Sequence, residues 1–210
     1  MDIEFKGGNC VVISGKKDTF VTDPKLSDLG LSDQGAHASA VLLTQTTFGV
    51  EPDEDVLVID GPGEYEVKNC SIRGIPARRH SELSETAHNA TMYRLDMDDI
   101  SVAILGHIDP NLTDEQMEAL GTIDVLVVPV GGSGYTLDYK SAVALVRKIE
   151  PKIVVPTHYA EEGVKYEVPQ QPLEDFVKEL GAATEELPKL KLKAGSLPIN
   201  LTVYKLTRTK

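Results

Sequence analysis

Two stretches without a polar side chain, residues 125–130 (VLVVPV) and 153–156 (IVVP), constrain this chain more than anything else in it. Continuous apolar runs of that length read as strands buried on both faces. Between them Ala142, Leu145, Val146 and Ile149 recur at helical spacing, which predicts a helix over residues 138–149. A strand–helix–strand unit of this kind needs packed layers above and below it. Pro172 opens a further helix, with Leu173, Phe176, Val177 and Leu180 on one face and Gly181 closing it. Thr113 and Gln116 form a capping-box pattern, and Gly121 stands where that helix would stop. A last strand is expected over residues 200–206.

The first half has a different period. Residues 10–14 and 19–22 are apolar or β-branched runs around Gly15-Lys16-Lys17-Asp18, a hairpin signal. Further strands are expected over residues 41–44, 56–59, 71–75, 91–95 and 101–105. Residues 76–87 are polar and charged and read as a mobile loop. Hairpins followed by strand–helix–strand units predict an α/β (α+β) protein of mixed sheets with helices outside. No repeat, low-complexity tract or long linker divides the chain, so residues 1–210 read as one domain.

Charge narrows the partners. Thirty-three acidic against 21 basic residues give a formal net charge of -12, which disfavours nucleic acid and anionic lipid. With 41% hydrophobic and 26% charged residues, the composition is that of a soluble globular protein. No apolar run approaches the roughly 20 residues of a membrane span. The segment MDIEFKGGNCVVIS lacks the basic and apolar regions of a signal peptide. Cys10 and Cys70 are too few for a disulfide scaffold and read as buried thiols in a reducing cytoplasm. The oligomeric state is left open, a homo-oligomer included.

Three histidines fall at strand ends. His158 follows residues 153–156, His107 follows residues 101–105 and Gly106, and His80 lies past residues 71–75. Ligands bind at such edges, and neutral imidazoles suit zinc. A loop histidine is nonetheless more often a hydrogen-bonded side chain than a ligand. His37 and His88 sit in polar loops and read as exposed. Pro24 is expected to hold Asp23 extended, so that its carboxylate orients a ligand or closes an Asx-type turn. Gly131-Gly132-Ser133-Gly134 reads as a tight turn for close packing rather than an anion cradle.

Several segments carry a resemblance: Phe5-Lys6-Gly7-Gly8-Asn9-Cys10, Thr22-Asp23-Pro24, Gly61-Pro62-Gly63-Glu64-Tyr65-Glu66-Val67 and Gly74-Ile75-Pro76-Ala77. Leu105-Gly106, Leu112-Thr113-Asp114-Glu115-Gln116, residues 124–132 (DVLVVPVGG) and residues 151–159 (PKIVVPTHY) continue it. In order and content the chain resembles the metallo-β-lactamase fold superfamily, most of all its small bacterial metal-dependent hydrolases related to ascorbate-phosphate lactonases. The resemblance implies a four-layer αββα sandwich with a metal site where two mixed sheets meet.

The same resemblance exposes a loss. The family's His-x-His-x-Asp-His stretch is matched here by Gln45, Thr47, Gly49 and Val50, its bridging aspartate by His107, and an N-terminal histidine by Asn9. Only His80 and His158 stand where the family has metal-binding histidines. Gln and Thr are poor zinc ligands, and Gly49 and Val50 offer none. Two readings follow. In the first, the protein is a catalytically inactive homologue without a cofactor. It binds a small polar or anionic ligand in a cleft lined by Asn9, Asp23, Gln45, Thr47, His80, His107 and His158. In the second, His80, His107 and His158 hold one Zn or Mn ion with an open position for water, and the protein is a metal-dependent hydrolase.

Overall fold

The computed structural model describes residues 1–51, 53–81 and 89–209. Two mixed sheets form its centre. The first has six strands: β1 (Asp2–Gly7), β2 (Cys10–Ser14), β3 (Thr19–Thr22), β4 (Ala40–Leu42), β5 (Leu57–Ile59) and β13 (Leu190–Lys191). Their order is β13-β1-β2-β3-β4-β5. The second has eight: β6 (Gly63–Val67), β7 (Cys70–Ala77), β8 (Ala90–Met97), β9 (Ile100–Ile104), β10 (Val125–Pro129), β11 (Ile153–Thr157), β12 (Ala183–Leu187) and β14 (Thr202–Leu206). These run in the order β12-β14-β11-β10-β9-β8-β7-β6.

The apolar runs take the predicted place. Every residue of β10 and β11 is buried, and each strand pairs in parallel on both sides, β10 with β9 and β11, β11 with β10 and β14. Helix α2 (Tyr139–Ile149) lies against β10 and α3 (Leu173–Leu180), with Ala142, Leu145, Val146 and Ile149 buried, while α1 (Asp114–Leu120) covers β7. The capping box closes reciprocally: Gln116 N–H donates to Thr113 Oγ1 at 3.2 Å, and Thr113 N–H donates to Gln116 Oε1 at 2.9 Å. Asp138 caps α2 by accepting from Ser141 N–H at 2.7 Å.

Ile3, Phe5, Val11, Ile13, Phe20, Ala40, Leu42 and Ile59 of the six-stranded sheet join the main core with the eight-stranded sheet. Tyr93 of β8 spans the sandwich, its hydroxyl 2.8 Å from the Leu43 carbonyl and 2.9 Å from that of Ile59. The other face of the six-stranded sheet buries a smaller cluster of Cys10, Val21, Leu26, Ala38, Val41 and Leu43. Single 3₁₀ turns at Ser27–Leu29 and Thr46–Phe48 follow β3 and β4. The architecture is the expected two-sheet α+β sandwich.

Four strands, β1, β6, β12 and β13, were not among those expected from sequence. β1 alternates polar and apolar residues, β13 is two residues long, and β12 (ATEEL) is an exposed edge. The expected loop over residues 76–87 is corrected at its start. Pro76 and Ala77 pair with Thr91 and Ala90 and extend β7, because Pro76 needs no N–H on an otherwise regular ladder. Residues 82–88, His88 among them, lie outside the described residues.

Candidate functional site

The strand ends converge as their sequence positions suggest. Asp23 follows β3, His107 follows β9, His158 follows β11, and Asn9 sits in the β1–β2 turn. A cavity of about 190 Å³ opens there, lined by these four residues and by Lys25, Phe48, Tyr135, Lys165, Tyr166 and Gln170 among others.

Asp23 anchors the floor at 4% exposure. Its Oδ2 accepts from Asn9 Nδ2 at 2.7 Å and from Thr44 Oγ1 at 2.6 Å, and its Oδ1 accepts from the Thr44 N–H at 2.7 Å. Asn9 continues the chain by accepting from Thr157 Oγ1 at 2.8 Å, so four strand ends are tied through one carboxylate. The expectation of an extended Asp23 is corrected: its φ is 41°, in the left-handed region. Aspartate tolerates that region better than most residues, and three hydrogen bonds here hold it against the bias of Pro24. Burial pushes its carboxyl up to about 6, with the Thr44 and Asn9 hydrogen bonds opposing.

His158 also has a positive φ, 49°, and its N–H donates to the Gly8 carbonyl at 2.8 Å. Its Nδ1 lies 3.1 Å from Gln170 Oε1, while Gln170 Nε2 donates to the Val168 carbonyl at 2.8 Å. That second bond orients the amide, so Nδ1 carries the imidazole hydrogen and Nε2 is left as an acceptor. Burial holds this imidazole down to about 4, partly opposed by Gln170. Burial, and then the neighbouring His158 and His80, hold His107 well below the usual histidine range. Both rings are neutral near pH 7.

Around them stands an aromatic cluster. His107 and His158 meet edge to face with centroids 4.5 Å apart. Phe48 lies 5.3 Å and Tyr135 5.1 Å from His107, and Tyr135 and Tyr166 lie 5.5 and 4.7 Å from His158.

Three expected lining residues stand elsewhere. Thr46–Phe48 wind into a 3₁₀ turn after an extended Gln45, and Thr47 projects to solvent. Gln45 is buried, yet Phe48 is the residue that reaches the cavity. His80 is half-buried and adjoins His107 through its N–H, which donates to the His107 carbonyl at 2.9 Å, but it does not line the cavity. His37 is exposed, as expected, with its ring near Asp53. Phe48, Tyr135, Tyr166 and Gln170 were missed because isolated aromatic and amide residues in loops carry no periodic signal, and Thr44 because a threonine closing an expected strand reads as structure.

The donors do not suit the two-metal centre that the resemblance implies. Among the described residues no group of three or more His, Cys, Asp or Glu side chains is placed to hold a metal ion. Asp23 is engaged by three donors, and His107 is packed among rings. Cys10 and Cys70 are free and buried, and burial pushes the Cys70 thiol up to about 12.

Gly131 supports the packing role expected of the glycine-rich turn. A Cβ there would collide with the His158 carbonyl and the Gln170 side chain. Gly131→Ala is expected to cost about 2 kcal/mol, lowering the melting temperature by about 4–8 °C in a chain of this size. Thermal unfolding by circular dichroism reads this directly; an unchanged melting temperature would show that the turn yields freely.

A family model described as "Beta-lactamase superfamily domain" matches residues 2–158. Among solved structures, a candidate Zn-dependent hydrolase of the metallo-β-lactamase superfamily from Thermotoga maritima is 27% identical. It covers 98% of each chain with a TM-score of 0.79. A candidate metal-dependent hydrolase from Parabacteroides distasonis is 18% identical, covering 85% of this chain and 87% of its own, with a TM-score of 0.66. An isothiocyanate hydrolase from Delia radicum gut bacteria shares 13% identity over 92% and 100% of the two chains, also with a TM-score of 0.66.

Proposed function

Because the chain belongs to the beta-lactamase superfamily, yet among its described residues no ligand set suits that family's metals, we propose that it is a non-catalytic member that binds a small polar molecule. The observation that carries this reading is the cavity itself. Where the resemblance places metal ligands, Phe48, Tyr135 and Tyr166 gather around two neutral imidazoles and one hydrogen-bonded carboxylate. Such a site has apolar walls and a few fixed polar groups, the usual composition of a small-molecule pocket. The reading needs no cofactor, and its partner is a small molecule rather than nucleic acid. Two buried thiols without a disulfide suit a reducing cytoplasm.

The competing reading, one Zn or Mn ion on His80, His107 and His158, has the adjacency of the last two rings in its favour. Metal analysis separates the two. Protein purified without chelators or a His tag, loaded with zinc or manganese and desalted, is expected to retain less than about a tenth of an equivalent. Specific sites hold zinc tightly at neutral pH, so the two outcomes are well separated. Retention near one equivalent, lost in His107→Ala or His158→Ala, would establish the metal-dependent alternative.

A further inference from the structure

Resting on the reading of this cavity as a ligand site, we propose that its occupant is a small organic cation. It would be a primary ammonium on a flat apolar body, its head held by Asp23 and His158 and its body lying among Phe48, Tyr135 and Tyr166.

The first support is an uncompensated charge. Asp23 is buried and accepts three hydrogen bonds, but among the described residues no cation pairs with it. A buried carboxylate without a counter-ion is costly, and a cationic ligand relieves that cost. Three bonds also leave part of its accepting capacity unused, since a carboxylate offers about four lone-pair sites. Lys25, the lysine two residues on, is spent on Asp28 at 3.0 Å.

The second support is the sense of the hydrogen bonds. Gln170 takes the Nδ1 hydrogen of His158, a residue that lines the cavity, so its other ring nitrogen, Nε2, carries a lone pair and not a donor. A ligand bound here must bring the hydrogen, as an ammonium group does. An anion would set its own lone pairs against that nitrogen and against Asp23.

The third support is the wall. Rings of Phe48, Tyr135 and Tyr166 line the cavity. Aromatic faces attract a cation within about 6 Å of the ring centroid, and they stack on a flat apolar body. Among the described residues, the charges that line the cavity are three carboxylates, Asp23, Asp28 and Glu167, against Lys25 and Lys165. The chain's net charge of -12 also raises the local concentration of cations.

The experiment uses the full chain, metal-free, at pH 7.5, with three probes of one shape: phenethylammonium, 2-phenylethanol and phenylacetate. Titration calorimetry is combined with ¹H–¹⁵N spectra that locate binding at the cavity. Phenethylammonium is expected to bind at least about tenfold more tightly than either analogue. Asp23→Asn is expected to bring it down to the affinity of the neutral alcohol. Tyr166→Leu lies outside the Asp23 hydrogen-bond network and is expected to weaken the ammonium about fivefold, so the proposal stands or falls even if the Asp23 variant does not fold.

Tighter binding of phenylacetate or of the alcohol would overturn the cation assignment and leave the ligand-site reading intact. Absence of binding by all three probes up to 10 mM, roughly the weakest range of specific recognition, would overturn both. Zinc chloride alone, perturbing the resonances of His107 and His158 with one-to-one stoichiometry, would replace the organic cation with a metal.

Discussion

Asp23→Ala is expected to lower the stability of this protein by about 3–4 kcal/mol. Truncation leaves three donors, the Thr44 N–H, the Thr44 hydroxyl and the Asn9 amide, without their acceptor in a buried setting. Each buried donor so orphaned costs about 1–3 kcal/mol, and the sum is reduced because the buried carboxylate's own desolvation cost disappears with it. In a chain of this length the melting temperature should fall by about 6–16 °C. Asp23→Asn keeps one acceptor oxygen for the two Oδ2 donors and is expected to lose about 1–2 kcal/mol. Differential scanning calorimetry on the two variants reads both numbers. A shift of less than 2 °C for the alanine variant, below the roughly 1 kcal/mol that even one lost bond implies, would mean that the strand ends are held by their ladders alone.

The second large effect is the pH dependence, in which the same cavity contains opposing terms. His158 titrates near 4 in the folded protein against an ordinary histidine value of 6.5, so an unfolded chain takes up a proton that the folded one refuses. Stability from this group is complete above about 6.5 and is lost as pH falls towards 4, by about 3 kcal/mol in all. His107, held down by burial and its neighbours, acts in the same direction. Asp23 acts in the other. Its folded value of about 6 against 3.8 means that the folded state gains the proton first, so stability rises by about 3 kcal/mol as pH falls from 6 to 3.8.

Two histidines against one aspartate leave a net loss on acidification. Urea unfolding between pH 7 and pH 4 tests each part. Relative to wild type, the His107→Gln/His158→Gln double variant should retain about 3 kcal/mol or more at pH 4 that wild type has lost. Asp23→Asn should acid-denature more steeply than wild type, because its compensating proton uptake is gone. Parallel pH profiles for all three proteins would show that these groups are not the ones that titrate.

Much of the architecture was legible because it rests on local pattern. The apolar runs that became β10 and β11 had to be buried, the stripe of Ala142, Leu145, Val146 and Ile149 had to face a sheet, and Thr113 with Gln116 marked the start of α1. The edge strand β12 was not legible, since an exposed strand rich in glutamate has no burial pattern to betray it. Of the residues expected at the site, Asn9, Asp23, His107 and His158 line one cavity, each placed there by the strand or turn it adjoins. Gln45 and Thr47 were carried by alignment of positions along the chain, which says nothing about which way a 3₁₀ turn points its side chains, while His80, expected from its place past a strand end, lies beside His107 but off the cavity.

By itself, then, the sequence determined the buried strands, the helix stripe that faces them and the strand ends that carry the site residues, because these depend on residue type at fixed spacing; that residues 45–50 stand in place of a histidine-rich stretch is what the family resemblance implies. Only the tertiary structure decided what replaced that stretch. Thr157 and Asn9, 148 residues apart, close a hydrogen-bond chain on Asp23. Gln170 chooses the tautomer of His158, and Phe48, Tyr135 and Tyr166 arrive from three separate segments to wall the cavity. Burial, ring contacts and the charge state of a carboxylate are properties of neighbours in space, and a chain acquires those neighbours only when its sheets have packed.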